Sequence, residues 1–554
     1  MPVKVQSESR IYGNASTQKI DDYFSNLHRS VKVENGIFDS TDAVTELSAA
    51  SGNDIPDEVR DLKERLGDGF EHASRAIFDS IASYEEKHGI APSADLIQQA
   101  LHSAGMIFDH AADNQTAYSG SLGQNTPIIT ITSTINEAVP FASYAPVNGQ
   151  NEAIIGVINH RAQSDVGGYK KGESIDGDEA GRPYTMSQRC HSVYADGSAD
   201  PITGKLTRVQ TSGDESDQSA PGVPLVRGLN KVYLNGLRAA FDSADSTDTE
   251  TILNSSGTVS IGGIKYTITG EVNLSNGEFS IASTPALPTG TMVTFEGSID
   301  FNADDSLIPI IGVSYMSKNI KAARSSGSVT SNFESNVQFN NELALDPLTE
   351  SMIALQSQLG VERHRLALNK MRRIARNHMH TVDLDFPNRA GQMNFADVWS
   401  DSNSQIADAN IAMVSRTEGT AIGVGYTGKH MASRLHSLSR EDFEPSGIRH
   451  RTGIYRIGRL VKHGFDVYMD PSITDSTAAS QILCIGRHAE VARNAIVMGD
   501  YAGPQLSGPI VKVNGTTTIG YHSMSLTEAN PLASFAQAAC ILNFVNMAPS
   551  VSSI

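Results

Sequence analysis

The sequence predicts an α+β protein of several domains. Three observations carry this expectation. Apolar residues recur at three- and four-residue steps over 59–84 and again over 348–359, the pattern of one buried helical face. Runs rich in β-branched residues, punctuated by glycine, fill 127–157 and 251–300. The chain has 554 residues, which as a soft prior suggests about three or four domains.

Residues 1 to about 52 are polar and weakly patterned. In the first helical stretch Val59, Leu62, Leu66, Phe70, Ala73, Ile77, Ile81 and Tyr84 share a face, which Gly67 and Gly69 weaken or bend. Gly89 and Pro92 stop it. Ser93 is the expected N-cap of a second helix through Leu96, Ile97, Leu101 and Phe108. Two roles are open to this pair: a helical hairpin packed on the body, or an assembly arm reaching a neighbour.

From about Thr126 the expected state changes to strand and extended chain, through PIITITSTI, INEAVPFASYAPV and EAIIGVI. Residues 161–222 are nearly free of large apolar side chains and are expected to bury no core of their own. Over 251–300, Gly262-Gly263 and Asn276-Gly277 mark two hairpins, because two-residue hairpin turns need positive φ. A long helix follows, with Asp346 as cap, Pro347 in its first turn, and Leu348, Met352, Leu355 and Leu359 as its buried stripe. Its later half carries Arg363, Arg365, Lys370, Arg372, Arg373 and Arg376. That half reads as a solvated face matched to the helix dipole, or as a contact for DNA or an acidic neighbour. From Phe395 onward short strands and helices mix, among them ANIAMVS, GKHMASRLHSL, GIYRIGRLV, FDVYMD and ILCIG.

Composition narrows the function classes. Charged residues are 19%, below the roughly 25% usual for soluble domains. A large chain with few charges either hides surface in contacts or is a neutral, loop-rich β protein. The 43 basic against 62 acidic residues give −19, the wrong sign for general binding to nucleic-acid phosphates. Cys190, Cys484 and Cys540 are odd in number and widely spaced with no CxxC, which argues against a disulfide framework or structural zinc and suits a reducing compartment. The N-terminus lacks the apolar core of a signal peptide, and Phe535–Val545 is too short to span a bilayer, so a soluble cytosolic product is expected.

One segment invites an enzymatic reading. GVGYTGKH, Gly423 to His430, satisfies GxxxxGK and would cradle phosphates on its backbone N–H groups and Lys429. Against a nucleotide-binding enzyme using the Gly423–Lys429 loop, with Gly428 at its end, stand three expectations. His430 replaces the Mg²⁺-ligating hydroxyl. The strand IAMVS ends at Ser415, too far upstream. FDVYMD alternates as a half-exposed antiparallel strand, so no buried parallel strand ends in an acid. His378 and His380 form a weak metal pattern, and the acids at Asp176, Asp178 and Glu179 lack calcium-loop spacing. No catalytic, cofactor or metal residues are therefore assigned. Trp399 is expected to anchor a core.

The order of segments resembles the major capsid proteins of large tailed bacteriophages, the myophage-like Hong Kong 97-type fold. The likeness spans about 126–550 and lies in INEAVPFASYAPV, the 161–222 stretch, ELALDPLTESMIALQSQLGVERHRLALNKM, ANIAMVS…GKHMASRL, YRIGRLVKHGFDVYMDPS…ILCIGRHAEVARNAIVMGDYAGPQLSGP and TIGYHSMSLTEANPLASF. The resemblance implies an N-terminal helical arm at 1–115 and an N-arm entering the peripheral domain at 116–160. It implies an extended loop at 161–222, peripheral domain at 223–250, an inserted β subdomain at 251–300, and peripheral domain with its spine helix at 301–394. An axial domain at 395–530 and a return at 531–554 complete it. It implies a structural, non-enzymatic protein that self-assembles into hexamers and pentamers of an icosahedral head around double-stranded DNA. Scaffold, portal and decoration proteins would be its other partners, and it would be found in the virion after assembly in the host cytoplasm. An encapsulin-like shell is the alternative within the same fold. Related proteins are trimmed after a Leu/Ile-x-Glu pattern, matched by Leu62-Lys63-Glu64 and Ile135-Asn136-Glu137; some crosslink a loop lysine, for which Lys170 or Lys171 would stand.

Overall fold

The computed structural model describes residues 59–60, 63–64, 70–113, 131–132, 134–135, 138–145, 147, 151–177, 180–213, 215–242, 250–255, 259–332, 334, 347–389, 393–448, 450, 452–506, 510–513 and 515–548. Asp346, Leu62, Leu66, Asp178 and Glu179 lie outside them, as do the side chains of Leu348, Met352 and Phe108. The chain is mixed α+β and divides into two compact units, 1–157 with 317–554, and 158–316.

The first unit begins with helices α1 (Phe70–His88) and α2 (Ala94–Asp113). Gly89, at φ 69°, ends α1 in the left-handed conformation that glycine adopts without steric cost, its N–H bonded to the Glu85 carbonyl. Phe70, Ile77, Ile81 and Tyr84 of α1 and Leu96, Ile97 and Leu101 of α2 are all buried, as the spacing predicts. They belong to the same apolar cluster as Trp399, Tyr426 and Phe544, so the hairpin is built into the body. Of the two roles open to this pair, the packing favours the hairpin on the body for the described residues. Ile131, Thr132, Thr134 and Ile135 are helical, which corrects the strand expected in PIITITSTI. Strand β1 (Ser143–Tyr144) and the start of β2 (Glu152–Ala162) follow.

The second unit holds β3 (Gln188–Tyr194), β4 (Ile202–Lys205), β5 (Gln210–Ser212), β6 (Glu215–Ser216), β7 (Lys231–Leu234), β8 (Leu237–Asp242), β9 (Glu250–Ser255), β10 (Val259–Ile261), β11 (Ile264–Asn273), β12 (Glu278–Thr284) and β13 (Met292–Ser298). Eight of these form a path, β3-β13-β7-β8-β9-β11-β12-β4, with β10 paired to β11. Its end strands β3 and β4 touch, so the sheet curls around Phe279, Phe295, Ile268 and Val232. Curling hides the edges that an open sheet would expose. Residues 161–222 are thus not coreless. Their strands complete the sheet of 251–300, and Ala162, Val166, Tyr169 and Tyr184 form a small buried cluster. The apolar residues covering β3 and β4 come from β12 and β13, which a local reading of 161–222 cannot see.

Hairpin β10–β11 has the expected two-residue turn, Gly262 and Gly263 at φ 59° and 83°. The second is longer: Val272 faces Phe279, and of the Asn276-Gly277 pair only Gly277 takes positive φ. A Cβ at Gly277 would approach the carbonyls of Leu206 and Val223 to 2.8 and 2.9 Å, so the close backbone approach demands glycine there.

The chain comes back along β14 (Ile311–Lys321), which pairs with β2 in a two-stranded ribbon. Then come β15 (Ala323–Asn332), α3 (Pro347–Ala375), β16 (Met379–Asp383), α4 (Phe386–Arg389), α5 (Phe395–Arg416), β17 (Ile422–Thr427) and α6 (Lys429–Leu435). Strands β18 (Phe443–Pro445), β19 (Tyr455–Leu460), β20 (Phe465–Met469), β21 (Ser480–Gly486), β22 (Ile496–Leu506), β23 (Ile510–Val511) and β24 (Thr516–Ala529), helix α7 (Ala533–Ala536) and β25 (Ala539–Val545) complete the unit. Two sheets result: a five-stranded one, β1-β22-β24-β15 with β23 on β24, and a seven-stranded mixed one, β16-β25-β21-β17-β20-β19-β18.

IAMVS is the last turns of α5 and not a strand. Asn394 and Asp397 form a capping box that starts this helix, and Ile406, Ala409 and Met413 continue the buried line begun by Val398 and Trp399. Trp399 is fully buried and stacks on Phe544 at 5.3 Å, the core anchor expected.

Candidate functional site

The phosphate-loop candidate is decided by where its glycines fall. Residues 422–427 are strand β17 itself, so GVGYT is not a surface loop. A Cβ at Gly425 would lie 3.0 Å from Ile482 and 3.1 Å from Phe465, so this glycine serves close strand packing. Two expectations set against nucleotide binding are themselves corrected. β17 runs directly into α6 through Gly428, with no over-long connection. β20 is buried, pairs parallel with β17, and is followed by the buried acid Asp470.

The site is nevertheless filled from within. Asp475 reaches the first turn of α6, and its Oδ2 accepts from the His430 N–H at 2.8 Å, the Met431 N–H at 3.2 Å and the Ser480 hydroxyl at 3.1 Å. These are the donors a phosphate would use, and a carboxylate already supplies the anion that a helix N-terminus favours. Gly428 leaves room for it, since a Cβ there would lie 2.5 Å from the Asp475 carboxyl carbon. Asp470 is likewise committed, accepting from the Ser472 N–H at 2.9 Å and hydroxyl at 2.8 Å. Lys429 is exposed.

His378 and His380 sit together near Arg416. Burial lowers the basicity of both, and the Arg416 guanidinium lowers it further. A neighbouring fixed cation opposes metal binding, and among the described residues no group of three or more His, Cys, Asp or Glu could hold a metal. Asp176 is taken up locally, its Oδ2 accepting from the His160 N–H at 2.7 Å and its Oδ1 lying 3.1 Å from His160 Nδ1. Lys170 and Lys171 are exposed. Ile135 of the second trimming motif is buried; Leu62, Asn136 and Glu137 lie outside the described residues.

The basic half of α3 is partly neutralised inside the chain. Arg363 pairs with Asp500 at 3.0 Å, Lys370 with Glu528 at 2.6 Å, and Arg372 approaches Asp470 at 3.7 Å. Arg365, Arg373 and Arg376 are exposed. The solvated face expected here is thus only part of this half: three of its cations turn to acids of the same chain, on β22, on β24 and just after β20. Burial on α3 is strongest at Ala367, Leu368, Met371 and Ala375, while Leu355 and Leu359 are half-buried against Val329 and Tyr521.

What sequence reasoning missed is an apolar surface. On β14, Ile311, Val313 and Tyr315 alternate outward and are 51%, 69% and 62% exposed. Ile308 and Ile310 precede them, also exposed. The run SLIPIIGV is apolar in the sequence, but nothing local to it tells a buried face from a bare one.

No protein-family model matches the chain, and no curated protein matches it. Solved structures do. The capsid of the jumbo bacteriophage PhiKZ is similar over 73% of this chain and 91% of its own, at 10% identity and a TM-score of 0.36. The SrpI encapsulin of Synechococcus elongatus is similar over 44% of this chain and 81% of its own, at 8% identity and a TM-score of 0.28. The capsid of the Myoviridae phage XM1 covers 55% of this chain and 88% of its own, at 10% identity and a TM-score of 0.25. At these values the likenesses carry no functional argument by themselves.

Proposed function

We propose that this chain is a shell-forming structural protein, the major capsid subunit of a tailed-phage head with the Hong Kong 97-type fold. In this reading it assembles into hexamers and pentamers, encloses double-stranded DNA without sequence-specific contact, and meets scaffold, portal and decoration proteins on the way to the virion. It performs no chemistry.

The observation that carries the reading is the β2–β14 ribbon. A two-stranded ribbon in isolation is marginal in water. This one turns Ile311, Val313 and Tyr315 outward and, among the described residues, gains no third strand. Exposed apolar side chains beside an unpaired strand edge are covered when a second copy supplies the missing surface. A ribbon that reaches a neighbour adds buried area without enlarging the subunit's core, and many such contacts reinforce one another in a closed shell. The low content of charged residues suits a surface largely spent on contacts.

Electron microscopy of the purified chain, with any co-expressed scaffold, tests this directly. Closed particles or capsomer rings are expected. Monodisperse monomers under every assembly condition overturn it. Particles devoid of DNA when made in phage-infected cells would move the assignment to an encapsulin-like shell.

A further inference from the structure

Cys484 and Cys540 look unrelated in sequence, and their wide spacing argued against a disulfide. The fold brings them face to face. β21 and β25 are antiparallel neighbours, and Cys484 is the direct register partner of Cys540. Directly opposed residues in an antiparallel pair have Cα atoms about 4.5–5.5 Å apart, inside the span a disulfide bridges, and their side chains leave the same face of the sheet. Both are free thiols and both are buried.

Their surroundings are asymmetric. The Cys484 thiol is held protonated by its hydrogen bond to Cys540 and by burial. Cys540 receives that bond, which favours its thiolate, and the Arg416 guanidinium beside it acts in the same direction. Arg416 is fixed there by Nε donating to the Gln537 carbonyl at 3.0 Å and Nη2 to the Ala539 carbonyl at 3.1 Å. One sulfur is thus prepared as the nucleophile and the other as the resolving thiol.

The geometry points to Cys484 and Cys540 as a two-electron oxidation site, a cross-strand dithiol that a small neutral oxidant of the diazenedicarboxamide class converts to a disulfide in the folded chain. The Cys540 thiolate adds to one nitrogen of the N=N bond, and the other nitrogen takes a proton. The Cys484 sulfur then attacks the Cys540 sulfur. The S–S bond forms as the S–N bond breaks, and the Cys484 proton goes to the departing nitrogen. Two thiols have lost two electrons and two protons, and the oxidant leaves as the hydrazine.

The test uses the full-length protein in native buffer with diamide, followed by alkylation, digestion and non-reducing mass spectrometry. A Cys484–Cys540 linked peptide is expected, with Cys190 still alkylated, the free-thiol count falling from three to one. The thermal midpoint should rise and come back down on adding dithiothreitol. Cys190→Ser should leave the product unchanged, and Cys484→Ser should abolish it. Three alkylated cysteines after an exposure that oxidises glutathione completely would overturn the proposal. So would a product linked mainly through Cys190.

Discussion

The Nε2 of half-buried His364 lies 3.0 Å from the hydroxyl of buried Tyr426 inside the first unit, joining α3 to β17. Burial raises the Tyr426 pKa well above the ordinary tyrosine value, so the phenol keeps its proton and donates it to a neutral imidazole. Tyr426 stacks on Tyr468 at 5.3 Å, and the Tyr468 hydroxyl meets His88 Nδ1 of α1 at 3.0 Å. This buried polar chain ties the N-terminal hairpin, the long helix and two central strands together.

Acid should therefore weaken the first unit. Burial lowers the His364 pKa from 6.5 to about 4, with nearby Asp470 opposing the shift. The unfolded chain binds the proton more readily, so the stability this group contributes is complete above pH 6.5 and is lost as pH falls towards 4. A shift of that size corresponds to about 3 kcal/mol at full effect. Urea unfolding at a series of pH values should show the loss, and His364→Gln should flatten it between pH 6.5 and 4. An unchanged slope in the variant contradicts the assignment.

Asp475 should prove structural. Asp475→Ala removes the acceptor for two N–H groups of α6 and should cost about 1–2 kcal/mol of stability. Calorimetric titration of the wild-type chain with Mg-ATP should give no saturable heat, and Lys429→Ala should change nothing. Saturable binding lost in the lysine variant would restore a nucleotide site.

Two buried charges of the second unit should respond unequally. Asp242 accepts from the N–H groups of Gly228 and Asn230 and from the Asn230 side chain, so Asp242→Ala strands three donors and should cost at least about 3 kcal/mol. Arg189 has no exposed surface; its Nη1 donates to the Met186 and Gln188 carbonyls at 2.6 and 2.8 Å, while its Nε and Nη2 have no hydrogen-bond partner. Burial brings its pKa down to about 10. Arg189→Met should fall within about 1 kcal/mol of wild type, because removing a buried cation that has no carboxylate partner offsets the loss of its two bonds to carbonyls. Denaturant melts of both variants decide this.

Val313→Glu on the exposed face of β14 should leave far-UV dichroism and the melting midpoint of the subunit unchanged and abolish large assemblies in sedimentation. Ser314→Glu, one residue along and turned to the other face, should disturb assembly less. Equal effects would remove the outward stripe from the contact.

The legible parts of this chain are those in which neighbours along the sequence are also neighbours in space. The described faces of α1 and α2, the stop at Gly89 and the Gly262-Gly263 turn are of this kind, and each stands as expected. IAMVS misled because five residues carry no period; only the capping box at Asn394, upstream, marks them as helix. FDVYMD misled because alternation does not reveal that covering elements bury both faces of β20.

By itself, then, the sequence determined the α+β class, the helical faces and the tight turns. Periodicity and turn chemistry act over a few residues, and those features need no more. The tertiary structure decided everything that depends on distant partners. It put Asp475 into the helix N-terminus that a phosphate would occupy, and set Cys484 opposite Cys540. It joined 161–222 to the sheet of 251–300, and left Ile311, Val313 and Tyr315 bare. Each of these follows from sheet register and from which surfaces find cover, and both are settled only when strands far apart in the chain pair.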